Sequence, residues 1–95
     1  MDWQQIPLAE AVVEAAAVVG EAEIVLQFTE TARGWFRVTV FEDLRATDLA
    51  LRYYARAVEK EDPLVQAFVT AGTPEDAATL CLREAGVSLR RARGR

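Results

Sequence analysis

The chain has 95 residues, no histidine and one cysteine, Cys81. Without histidine it lacks the side chain best poised for proton transfer near neutral pH. A lone thiol forms no internal disulfide, and with no second thiol and no imidazole the usual zinc ligand sets cannot be assembled. Carboxylates remain. Glu10 with Glu14, and Glu59 with Glu61 and Asp62, are the groupings at short spacing. Acid–base work by two carboxyls needs one desolvated and the other ionised. Both groupings fall on faces expected to be solvated, so both read as surface charge. Cys81 sits on the apolar stripe of an expected helix and reads as a buried structural thiol. No catalytic, cofactor-binding or metal-ligating residue is assigned, and the chain is not expected to be an enzyme.

Positive charge is the other chemistry on offer. Arg52, Arg56 and Lys60 recur at every fourth residue, and Arg90, Arg91, Arg93 and Arg95 crowd the last six positions. Either group could touch phosphate or an acidic partner. Residues 1–89, however, carry 7 basic against 15 acidic groups, a balance of −8, and an acidic body is a poor surface for nucleic acid. The middle stripe reads as a solvated face offset by Asp48, Glu59 and Glu61. Residues 90–95 read as a mobile basic tail beyond a single domain of residues 1–89. Ala71-Gly72-Thr73-Pro74 opens a helix, but one glycine with Glu75 and Asp76 following is a capped start, not a phosphate loop. Ala85-Gly86-Val87-Ser88 resembles the turn of helix-turn-helix regulators. Only seven residues follow Ser88, too few for a recognition helix.

The elements that must position these groups centre on residues 23–41. Ile24, Leu26 and Phe28 alternate with Val25, Gln27 and Thr29; after Thr31-Ala32-Arg33-Gly34, Phe36, Val38 and Val40 alternate with Trp35, Arg37 and Thr39. Period two in two adjacent runs predicts a β-hairpin. Phe28 is placed opposite Phe36, with Gly34 at a positive-φ position of the turn. Pro7 and Gly20 bracket an amphipathic helix over residues 7–19. A second helix is read from a cap at Asp43 or Thr47 to about Glu61, with Leu44, Leu51, Tyr54, Ala55 and Val58 as its apolar stripe. Residues 64–70 favour a strand. Thr73-Pro74-Glu75-Asp76 starts a last helix with a threonine cap, a proline in the first turn and two acids at the positive dipole end. Gly86 is expected to stop it, and Val87-Ser88-Leu89 to form a final strand. The expectation is an α+β domain in the order α-β-β-α-β-α-β. The hairpin would extend into a mixed sheet of three or four strands, with helices packed on it.

A chain 52% hydrophobic and 27% charged supports one soluble core. Its longest uncharged apolar run, Ala15 to Gly20, falls far short of the ~20 residues a membrane span requires. Asp2 with no basic stretch argues against a secretory signal, so a cytoplasmic protein without a membrane partner is expected. Ten arginines to one lysine, with abundant alanine, suggest a GC-rich bacterial source. The outer hairpin face carries Val25, Trp35 and Phe41, a large apolar surface to leave wet, to be covered either by the first helix or by a second copy of the chain. A small non-catalytic interaction or regulatory module follows, working as a homodimer through those three residues. A nucleic-acid accessory protein using the arginine tail is one alternative. A regulatory domain holding a small ligand is another.

Overall fold

A computed structural model describes residues 16–93. Four strands, β1 (Ala16–Gln27), β2 (Arg33–Asp43), β3 (Tyr53–Glu59) and β4 (Gln66–Ala71), lie in the order β1-β2-β3-β4. All neighbours are antiparallel, so the sheet is a meander and not the expected mixed sheet. One helix, α1 (Pro74–Ala92), then returns across β4, β3 and β2. The α+β class holds, while the order of elements does not.

The hairpin forms with the expected faces and a different register. Ile24 pairs with Phe36 and Leu26 with Gly34, leaving a five-residue turn, 28–32. Phe28 N donates to Ala32 O at 2.9 Å, and Ala32 N donates to the Thr29 hydroxyl at 2.9 Å. These bonds close a shorter turn than a Phe28–Phe36 pairing would. The displacement is an even number of residues, so every side chain keeps its face. Gly34 lies inside β2, and what it supplies is space. A Cβ there would come within 2.8 Å of Leu89 Cδ1.

The expected second helix is β3 preceded by a 3-10 turn, Leu49–Leu51. Asp48 caps that turn, accepting from Ala50 N at 2.9 Å. The final strand is also corrected, since Val87, Ser88 and Leu89 continue α1. Gly86 does not stop the helix. It is buried mid-helix, where a Cβ would come within 2.7 Å of the Phe28 ring. The first expected helix, 7–19, lies largely outside the described residues; its last four, 16–19, are strand.

Two expectations hold in detail. Residues 66–71 form a strand. The cap of α1 is as read, with Thr73 accepting from Asp76 N at 3.1 Å and Pro74 in the first turn.

The core lies between α1 and one face of β2–β4. Ala77, Cys81, Ala85 and Leu89, at every fourth helical position, meet Phe36, Val38, Val40, Ala55, Ala57, Ala67 and Ala71. Alanine on both layers sets a close helix–sheet approach, and Phe36 with Leu89 fills the volume left.

Candidate functional site

Among the described residues no helix covers the other face of the sheet. β-strand parity puts Val25, Trp35, Arg37, Thr39, Phe41, Tyr54, Arg56, Val58 and Phe68 there. Val25 and Trp35 are direct cross-strand partners, 47% and 46% exposed. Lys60 Nζ stands 3.9 Å from the centre of the Trp35 ring and 3.1 Å from Glu23 Oε1. Arg37 reaches Glu23 at 3.4 Å and Glu21 at 3.9 Å. Lys60, donating a hydrogen bond, is the main cause that holds the Glu23 carboxyl below its ordinary range.

Phe41 is not beside Trp35. They lie six positions apart on β2, about 20 Å of extended chain. Phe41 instead begins an aromatic row. Its ring stacks on Tyr54 at 4.8 Å with 17° between planes, and Tyr54 meets Phe68 at 5.5 Å and 37°. The first spacing matches the distance between neighbouring strands, as the cross-strand pairing of Phe41 with Tyr54 requires. The face therefore carries two apolar patches, with the Glu21–Arg37–Glu23–Lys60 ion-pair band beside the tryptophan end. Sequence reasoning found Trp35, Val25 and Phe41, and missed Tyr54 and Phe68. The signal was present in the alternation of Tyr54, Arg56 and Val58 with Ala55, Ala57 and Glu59.

The basic residues divide. Arg52 binds the Glu42 carboxylate, Nε to Oε2 at 2.6 Å, and that bond keeps its guanidinium strongly protonated. Arg56 is exposed in the middle of the open face, cross-strand from Thr39 and Phe68. Arg90 and Arg91 lie in the last turn of α1. Arg90 sits over the Phe28 ring at 4.3 Å, and Arg93 N caps the helix by donating to Leu89 O.

Glu59 was expected on a solvated face and is buried, at 2% exposure. In strand β3 it shares the helix side with Ala55 and Ala57. Its Oε1 accepts from Trp35 N at 3.3 Å, and its Oε2 accepts from Glu61 N at 2.9 Å and from Asp62 N. Arg93 stands 3.8 Å from the same oxygen and 3.9 Å from Asp62. A carboxylate so engaged by main-chain amides pins the β3–β4 turn to β2. Above it, Val25, Arg33, Gly34, Trp35, Glu61 and Arg93 line a cleft of about 120 Å³. Cys81 is fully buried, and burial pushes its thiol up to about 11. Its Sγ donates to Ala67 O at 3.8 Å. Glu10 and Glu14 lie outside the described residues. Among the described residues, no three acidic or thiol side chains are grouped to hold a metal ion.

Comparison with known proteins identifies no relative. No protein-family model, no curated protein and no solved structure matches the chain. Among the described residues no helix is long and apolar enough to cross a membrane.

Proposed function

We propose that the protein is a non-catalytic interaction module that works as a homodimer in the cytoplasm and offers its open sheet face for contact. One observation carries this reading: Val25, Trp35 and Phe68 stand 46–62% exposed on a sheet face that no described helix covers. Exposed apolar side chains of this kind, gathered in two patches, mark contact sites, because leaving apolar surface in water forgoes roughly 25 cal/mol for every Å². Sedimentation over the micromolar range is expected to give a dimer. A protein that remains monomeric at high micromolar concentration defeats the reading.

Two other readings fit less well. Nucleic acid is held by unpaired positive charge beside its stacking rings. Arg37, Arg52 and Lys60 are already engaged by carboxylates. Salt-dependent binding of a single-stranded oligonucleotide would revive that reading. For a small ligand, the cleft beside Trp35 offers about 120 Å³ among the described residues, well below the roughly 300–1,000 Å³ of ordinary ligand pockets.

A further inference from the structure

The sheet has two edges, and they differ. β1 carries Glu21 and Glu23, a glycine, and a register shift between Val18 and Gly20. Charges and bulges of that kind keep an edge strand from pairing with another chain. β4 has none of these. From Pro63 to Pro74 twelve consecutive residues carry no charge, in a chain that is 27% charged. The strand itself, Gln66 to Ala71, contains neither proline nor glycine.

Among the described residues, no strand pairs with its outer side. Glu59 N donates to Val65 O at 2.9 Å, and Ala57 pairs with Ala67 and Ala55 with Val69. The antiparallel alternation then turns the amides and carbonyls of Val65, Ala67, Val69 and Ala71 toward β3. Those of Gln66, Phe68 and Thr70 point to the open edge. The side chains of the same three residues stand on the open face, where Phe68 ends the aromatic row and is 62% exposed.

We infer that β4 pairs antiparallel with β4 of a second copy of this chain, about a two-fold axis at Phe68. The inference rests on the self-association proposed above and assigns its seam to a sheet edge. The occupant is a second copy because an isologous contact sets a strand against itself, and an uncharged strand does so without bringing like charges together. On β1, Glu21 and Glu23 would crowd together with their own copies. On β4, Phe68 meets Phe68 and Gln66 meets Thr70, so each outward amide and carbonyl of these residues finds a partner. The row Phe41–Tyr54–Phe68 continues through its copy across one eight-stranded sheet. The same register brings Leu64, 87% exposed, to Gly72 of the second copy. The 3-10 turn, with Leu49 68% exposed, lies against that glycine, Leu49 O being 3.4 Å from where its Cβ would stand. Trp35 is left outside the seam, on the enlarged open face.

The test compares sedimentation of the wild type with Phe68→Lys, Thr70→Pro and Trp35→Ala, each checked for native circular dichroism. Proline is tolerated where an edge N–H faces solvent, so Thr70→Pro blocks the pairing and leaves the protomer folded. Phe68→Lys and Thr70→Pro are expected to weaken the dimer about tenfold or more, and Trp35→Ala to leave it intact. Phe68→Cys should cross-link the copies by a disulfide across the axis, and Val25→Cys should not. A wild-type monomer overturns this inference together with the function proposed above. A dimer lost in Trp35→Ala and kept in both β4 variants overturns only the edge pairing, leaving a module whose sheet faces meet. A dimer indifferent to all three variants also overturns it.

Discussion

On the helix side of the sheet β3 presents Ala55, Ala57 and Glu59, all buried, and on the other side Tyr54, Arg56 and Val58. β2 divides the same way, with Gly34, Phe36, Val38 and Val40 under α1 and Trp35, Arg37 and Phe41 on the open side. The closed face is limited by volume. Small residues admit the helix, a few large ones fill what is left, and the buried carboxylate is held by main-chain amides. The open face is limited by neighbours, since its large rings touch one another across strands and otherwise meet water. Substitutions should therefore act through packing on one face and through partners on the other.

Phe36→Ala should show the largest effect. The ring is fully buried between α1 and the sheet, and its loss is expected to cost about 3–5 kcal/mol in urea unfolding. A cost below about 1 kcal/mol would mean that the closed face is not the core.

Glycine replacements sharpen the contrast. Gly34→Ala drives a methyl against Leu89 and Phe36, both fully buried, and should destabilise by about 1–3 kcal/mol. Gly86→Ala meets the tip of Phe28, a ring that is 46% exposed. There the helix gains about 1 kcal/mol of propensity, offset by lost contact with the ring, so the net change should stay within about half a kcal/mol. Equal losses at both positions would show that burial of the obstructing side chain does not set the cost.

Cys81 gives the closed face a pH signature. Burial raises its thiol from 9.0 to about 11, so the folded state holds the proton more tightly than the unfolded chain does. The associated stability is complete below pH 9.0 and is lost as pH rises through about 11. Thermal melts across that range should fall more steeply for the wild type than for Cys81→Ala. Parallel profiles would refute the linkage.

The smallest effect belongs to the open face. The Glu23 carboxyl is depressed chiefly by Lys60, so its contribution is present at neutral pH and lost as pH falls through the folded-state value. Glu23→Gln should flatten the acid limb of the stability profile slightly at low salt, and the difference should vanish in molar salt.

The stretch from Asp48 to Lys60 shows why part of the fold was illegible. Arg52, Arg56 and Lys60 are spaced by four, and that spacing puts side chains on one face of a helix and equally on one face of a strand. Tyr53, Ala55, Ala57 and Glu59 alternate with Tyr54, Arg56 and Val58, yet alanine and glutamate favour helix, and local propensity pointed the wrong way. Gly86 misled for a related reason. A glycine after an apolar stripe is the usual mark of a helix end, and here it makes room for a ring that arrives from the hairpin turn. Half of the open face was read from β1 and β2. The other half waited on the identity of β3.

The sequence by itself determined what short-range geometry encodes. Period two at residues 24–40 set the hairpin and its faces, and Thr73-Pro74-Glu75-Asp76 set the start of α1, while the short β-branched run before Ala71-Gly72 favoured a strand over a short helix without deciding between them. Only the tertiary structure decided that residues 53–59 are a strand. The unpaired edges of β2 and β4 on either side supply the hydrogen-bonding partners that an isolated helix would have found within itself. It also placed Glu59 inside, because the amides that satisfy its charge belong to Trp35, Glu61 and Asp62, and two of those donors sit in a turn that exists only once β3 and β4 have paired.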